Sequence, residues 1–264
     1  MPVVVDLYTA RQSWVHAVDP RVKLLFVACF ILLLLVFNNL FFMLVVLTLL
    51  HLLHWSAEMP GHKLAFIWKT LLPVSILIFV LWTVFYPTGS PIFEFWVIRI
   101  TLPAVAQGLV LGLRIISMAF VVFAWLYTTD QPSLIRSLVK LKMPYEWGLV
   151  LALALRYIPT FQGTYSLISE AQQARGLELS GGGFKRVKLM MPIFVAMIIT
   201  SLRASEQLAK ALEARAFGAP GVQRSTLHDI HFRPVDYLIG FLILAITVGL
   251  LYLNLRYGIG EQPI

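Results

Sequence analysis

Apolar residues in this chain come in long unbroken blocks. The run LLFVACFILLLLVF at residues 24–37 contains no polar side chain. Five such blocks predict five membrane-spanning helices, at residues 21–37, 40–55, 64–85, 104–127 and 235–255. The first two form a hairpin broken at Asn38-Asn39. Both are short for a hydrocarbon core of about 30 Å, which takes about 20 helical residues. They are expected to tilt against neighbours or to lie partly in the interface.

Residues 129–234 follow a different pattern, mixing apolar stripes with charge. Residues 132–142 alternate Leu, Ile and Val with Arg136, Lys140 and Lys142, as a helix lying in a membrane surface does. Residues 146–160 are apolar except for Arg156, and residues 161–179 are polar and helix-prone up to a stop at Ser180-Gly181-Gly182-Gly183. Residues 187–217 then run without a breaker after Pro192, as far as Gly218-Ala219-Pro220-Gly221. At about 1.5 Å per residue these last two helices reach roughly 28 and 45 Å. The expected fold is all-α and polytopic, with about five transmembrane helices plus long coupling helices in the cytoplasm. Residues 1–128 form a four-span bundle, 129–234 a cytoplasmic region and 235–264 a carboxyl-terminal transmembrane helix.

Composition agrees with the blocks. Hydrophobic residues make up 59% of the chain and charged residues only 13%, whereas soluble domains carry about 25% charged residues. The net charge of +8 is unevenly placed: 13 of the 21 Lys and Arg lie in residues 129–234, with 7 of the 13 acids. Basic charge beside apolar spans points to a cytoplasmic surface facing membrane or partner. No nucleic-acid motif accompanies it. Arg11, Arg21 and Lys23 precede the first span, and Lys63 and Lys69 flank the third from the same side. That bias predicts a cytoplasmic amino terminus, and an odd fifth span puts the carboxyl terminus outside. Trp55, Trp68 and Trp125 near inner ends, and Trp82, Tyr86 and Trp96 near outer ones, complete an aromatic belt. The single cysteine, Cys29, is expected to be a lipid-facing or packed thiol. No cleaved signal peptide is expected, because no apolar run follows a positive amino-terminal region.

The charged region carries a repeat. AQQARG at residues 171–176 is answered by ALEARA at residues 211–216. In each copy an Arg sits just before a glycine-bearing stop, with Ala at i−4 and i−1. The small residues keep the helix end slim enough to enter a groove. Arg then supplies five fixed donors that match a carboxylate bidentately. Two similar ends suggest two similar grooves on homologous partners. The plainer reading is an ordinary helix terminus, where the macrodipole favours Arg in the last turn.

Ala174-Arg175-Gly176 and Ala214-Arg215-Ala216 resemble the paired motifs of the transmembrane T component (EcfT-like) of energy-coupling factor transporters, vitamin- and metal-uptake members of the ATP-binding cassette class. VDPRVKLL at residues 18–25 resembles the same family's Asp-Pro-Arg-x-Lys-Leu entry to its first span, here Asp19, Pro20, Arg21 and Lys23. The second motif departs slightly, with Ala216 where Gly is common. The resemblance implies a scaffold in a prokaryotic inner membrane. Its two arginine motifs would dock on two ATPase subunits, and a small membrane-embedded S component would bring the substrate. ATP and Mg2+ would be bound in the partner subunits and no cofactor by this chain.

Asp19 and Pro20 also fit a plain helix start, as N-cap and first helical residue. Arg114 falls well inside the fourth span, where a charge is costly and is usually paired or functional. It is expected either to make a polar contact within the bundle or with the S component, or to snorkel. Gly108 and Gly112 form a GxxxG face for a close helix neighbour. His51 with His54, and His228 with His231 near Asp229, have i,i+3 spacing without enough further ligands for a metal, and read as interface or loop histidines. Glu206 and Lys210 are placed for an i,i+4 pair. No enzyme signature is found: GGGFK at residues 181–185 lacks the spacing and the Ser or Thr of a phosphate-binding loop. Against the scaffold stand a self-sufficient permease, which needs a polar midplane site and repeated halves, and a membrane-bound enzyme, which needs an acid, base or metal cluster.

Overall fold

A computed structural model describes residues 9, 11, 13–87, 89–95, 98–177, 187–217, 219, 232–258 and 260. The chain divides into two compact units, one comprising Asp6–Met143 with Ile230–Ile264 and the other containing Pro144–Asp229.

The first unit is the membrane bundle. Its helices are α1 (Trp14–Ala17), α2 (Pro20–Val36), α3 (Leu40–Ser56), α4 (Gly61–Phe85), α5 (Leu102–Thr128), α6 (Gln131–Lys140) and, from the carboxyl-terminal part, α9 (Pro234–Tyr257). Asp19 caps α2 by accepting from the Arg21 N–H at 2.9 Å, and Asn39 caps α3 by accepting from the Phe41 N–H at 2.8 Å. α5 packs against α4 along its glycine face. A Cβ on Gly108 would lie 3.0 Å from the Phe79 carbonyl, and one on Gly112 would lie 2.6 Å from Ser75 Oγ. α4 is therefore the close neighbour that the GxxxG pattern calls for. Leu34, Met43, Leu50, Ile67, Val110 and Phe120 form the buried centre. Cys29 is a packed, free thiol.

α4, α5 and α9 are long and apolar enough to cross a membrane. Their outward residues invert the soluble pattern: Phe241 of α9 is 75% exposed and Leu255 87%. Such surface is stable against lipid, not water. α2 and α3 have only 17 residues each. They break at Asn38-Asn39, and that turn meets the middle of α5. There the Arg114 guanidinium donates to the Phe37 carbonyl at 2.9 Å and to Asn38 Oδ1 at 3.1 Å. Arg114 thus closes the carboxyl end of α2, where the helix dipole favours a cation. The first turns of α5 run on beyond the hairpin by roughly 18 Å.

Between α4 and α5 the chain forms an antiparallel hairpin of β1 (Pro91–Phe95) and β2 (Ile98–Thr101), with Glu94 opposite Arg99. It is a minor addition to an all-helical fold. His51 and His54 depart from the interface reading. Nδ1 of each bonds to the backbone carbonyl one turn earlier, of Leu47 and Leu50, and His51 Nε2 accepts from Trp68 Nε1 at 3.1 Å. Both rings pack on Phe120 in the core.

The second unit holds two long helices, α7 (Tyr145–Ala174) and α8 (Met191–Ala214). α7 is continuous over 30 residues through Pro159, and residues 187–189 are helical ahead of α8. Two stretches that the sequence separates, residues 146–160 and 161–179, are joined in one helix, so α7 extends about 45 Å and α8 about 36 Å. The Tyr145 ring lies 6.2 Å from that of Phe217, so the start of α7 meets the end of α8.

Candidate partner-docking ends

The two arginine motifs occupy the carboxyl ends of α7 and α8, and their backbones are built alike. Ala174 and Ala214 are the last helical residues, and Arg175 and Arg215 are the C-caps, with φ,ψ of −87°,10° and −95°,16°. The next residue is left-handed in both, Gly176 at φ +88° and Ala216 at φ +54°. The hydrogen bonds correspond one for one. The Leu177 N–H reaches the Gln172 carbonyl at 3.0 Å and the Gly176 N–H that of Gln173 at 2.9 Å. The Phe217 N–H reaches Leu212 at 3.0 Å and the Ala216 N–H Glu213 at 2.9 Å. This is the Schellman arrangement, which closes the last carbonyls of a helix. Glycine takes its left-handed position without penalty, whereas alanine there costs about 1–2 kcal/mol.

The sequence places the end of the first of these helices at the Ser180–Gly183 cluster. The helix ends earlier, at Ala174, because the single left-handed Gly176 suffices to turn the chain. Residues 180–183 lie outside the described residues, as do Trp96, Gly218, Pro220 and Gly221, the GGGFK stretch, and His228, Asp229 and His231.

Ala174, Arg175, Gly176, Ala214, Arg215 and Ala216 are all exposed. Among the described residues neither arginine side chain has a hydrogen-bond or ion-pair partner, and no ion pair joins Glu206 to Lys210 either. Each helix changes character toward its arginine. On α7 the exposed large apolar residues, Trp147, Val150, Leu151, Ile158, Phe161 and Leu167, stop short of Glu170, Gln172 and Gln173. On α8, Met191, Phe194, Val195, Ile198, Ile199 and Leu202 are followed by Arg203, Glu206, Gln207, Lys210 and Glu213. Because the end of α8 meets the start of α7, Arg215 lies near one end of α7 and Arg175 at the other, about 45 Å away along α7. Such a surface offers apolar contact along its length and one slim, charged tip at each end.

The amino-terminal residues lie elsewhere, in the bundle. Asp19 and Lys23 are buried and Arg21 lies over the Phe232 ring at 4.7 Å. Lys23 Nζ donates to the carbonyls of Thr128, at 2.8 Å, and His16, at 3.2 Å. His16 is held below its ordinary pKa by burial and then by the Lys23 charge. Its neutral ring donates from Nε2 to the Thr9 carbonyl and accepts at Nδ1 from Ser13 Oγ. Asp236, at the start of α9, accepts from the Asp19 N–H at 3.0 Å and is also buried. Sequence reasoning did not single it out. The available signal was Arg233-Pro234-Val-Asp236, a proline at the first helical position followed by an acid in the first turn.

A bundle with three helices long and apolar enough to cross a membrane defines an integral-membrane protein. The family model described as cobalt transport protein (CbiQ) matches residues 11–226, and the chain belongs to that family. Proteins named energy-coupling factor transporter transmembrane protein EcfT match it over nearly their full length. That of Listeria innocua is 31% identical, covering 95% of this chain and 97% of its own. That of Brevibacillus brevis is 30% identical, with 94% and 97% covered. That of Acidaminococcus fermentans is 28% identical, with 97% and 98% covered.

Proposed function

We propose that this chain is the transmembrane scaffold of an energy-coupling factor importer in a prokaryotic cell membrane. Residues 129–234 form its cytoplasmic coupling region. Arg175 and Arg215 each dock one of two ATP-binding cassette ATPase subunits, with Ala174, Gly176, Ala214 and Ala216 allowing close approach. A small membrane-embedded S component captures the vitamin or other micronutrient and rests on the apolar stretches of α7 and α8. ATP and Mg2+ bind in the ATPases. Movement of the two ATPases relative to each other then acts at two points about 45 Å apart on one helix pair, and the helices carry it to the membrane.

The observation that supports this reading is the matched construction of the two ends. Two sequences that share little beyond A-x-x-A-R adopt one backbone geometry and each leaves its arginine exposed. A buried guanidinium–carboxylate bond in a partner groove contributes about 1.5–3 kcal/mol. The reading is tested by cross-linking in membranes of cells that express the native operon. Gln173→Cys and Glu213→Cys occupy corresponding exposed positions two residues before each arginine. In a Cys29→Ser background, each is expected to cross-link to an ATP-binding subunit. Cross-linking of neither position to such a subunit would overturn the proposal.

A further inference from the structure

The coupling region is inserted in the chain between α5 and α9, and its first helix, α6, still belongs to the bundle unit, which runs to Met143 and resumes at Ile230. Both junctions are fastened to one turn of α2. At the exit, Thr128 is the last residue of α5, and its carbonyl accepts from Lys23 Nζ at 2.8 Å. A helix carboxyl end is the negative pole of its dipole, so the ammonium is well placed there. At the return, Asp236 receives the Asp19 N–H through Oδ1 and the Arg233 N–H through Oδ2, at 3.0 and 2.9 Å. Arg21, between Asp19 and Lys23, lies over the Phe232 ring just before α9. Asp19, Lys23, Thr128 and Asp236 are each less than a tenth exposed.

This is more than a helix start. A plain N-cap needs only the Asp19 side chain on the Arg21 N–H. Here the cap residue's own N–H and the ammonium one turn later are also committed, each to a different junction. Charge-assisted bonds are roughly twice as strong as neutral ones, and burial shields them from competing water. Lys23 reaches back as well to His16, whose ring ties it to Thr9, and the Thr9 N–H donates to the Tyr127 carbonyl at 3.0 Å. The exit is thus held from two sides.

We infer that the first turn of α2 is the fixed anchor of the coupling region, with Lys23 and Asp19 positioning the exit and the return of the chain. The inference rests on the coupling reading above. A displacement imposed at Arg175 or Arg215 performs work on the membrane helices only if the two junctions do not yield. With Lys23 released, the exit at Thr128 gives way, and ATP is hydrolysed without a matching movement of the bundle.

The test uses the complex expressed from its native operon, comparing wild type with Lys23→Met, which keeps the apolar stem and removes the donor. Hydrogen–deuterium exchange is expected to accelerate at least tenfold in residues 126–134, with α3 and α4 unchanged. Transported substrate per ATP hydrolysed is expected to fall at least tenfold while the ATPases stay bound. Asp236→Asn, which keeps the side-chain shape and one acceptor, is expected to accelerate exchange at residues 233–238 in the same way. It serves as the independent variant if Lys23→Met does not insert. Exchange that stays at the wild-type rate at the junctions, or rises equally throughout the bundle, overturns the anchor. So does unchanged uptake per ATP in a variant whose junctions have loosened. Loss of the coupling reading would look different: wild type would then bring down no ATPase at all.

Discussion

The bundle and the α7–α8 pair use positive charge in opposite ways. In the bundle, Lys23 and Arg114 are committed to backbone carbonyls of their own chain. Each closes the carboxyl end of a neighbouring helix, where burial makes an uncapped carbonyl costly. In the α7–α8 pair, Arg175 and Arg215 also lie at carboxyl ends, but there the backbone closes itself through a left-handed residue and the guanidiniums stay in solvent. A cation needed to finish a helix is structural. A cation left over once the helix is finished is available to a partner.

That difference can be pressed experimentally, beginning with the largest effect. Arg114→Leu should destabilise the bundle by about 3 kcal/mol, since it strips charge-assisted bonds from the Phe37 carbonyl and Asn38. Thermal unfolding in mild detergent should show the drop, and an unchanged midpoint would mean that the α2 end needs no cap. Gly112→Val should cost about 1–3 kcal/mol by pushing Ser75 and α4 away, read in the same assay. The corresponding Gly249→Val, on α9 with nothing within 4 Å of its Cβ position, should cost less than about 1 kcal/mol.

In the α7–α8 pair, Arg175→Lys keeps the charge but loses the planar fork. ATPase retention in pull-downs should fall about tenfold, equivalent to about 1.4 kcal/mol, with no change in the unfolding midpoint. Equal retention by lysine would show that charge alone suffices. Smallest of all, Ala216→Gly should relieve a left-handed alanine by about 1 kcal/mol and slow exchange of the Phe217 amide about fivefold. Gly176→Ala should do the reverse at Leu177. Shifts of equal sign at the two ends would contradict their shared geometry.

Much of this was legible in the sequence, and the exceptions have a common cause. The apolar blocks locate the spans closely: the block at residues 64–85 became Gly61–Phe85 and that at 104–127 became Leu102–Thr128. Side-chain chemistry alone sets those limits. The repeated Ala-x-x-Ala-Arg was visible for the same reason. What stayed hidden depends on backbone groups far along the chain. The cost of Arg114 could be read, but its partner is a carbonyl 77 residues away. Lys23 reads in the sequence only as a basic flank of the first span, because nothing there shows that the Thr128 carbonyl lies beside it. The early stop of α7 was missed because three glycines at 181–183 outweigh one at 176 in composition, whereas the chain needs only one left-handed residue to turn. β1 and β2 are too short for their alternation to stand out between two long apolar helices.

The central claim is that the two exposed arginines hold the ATPases. The most direct measurement is affinity purification in mild detergent with the native operon co-expressed, comparing wild type with the Arg175→Ala, Arg215→Ala double variant. Wild type should bring down two ATP-binding chains and a small membrane protein. The double variant should keep its unfolding midpoint and lose the ATPases by about 100-fold or more, as two lost contacts of about 1.5–3 kcal/mol imply. Full ATPase retention by the double variant would reduce the matched ends to ordinary helix termini and contradict the account.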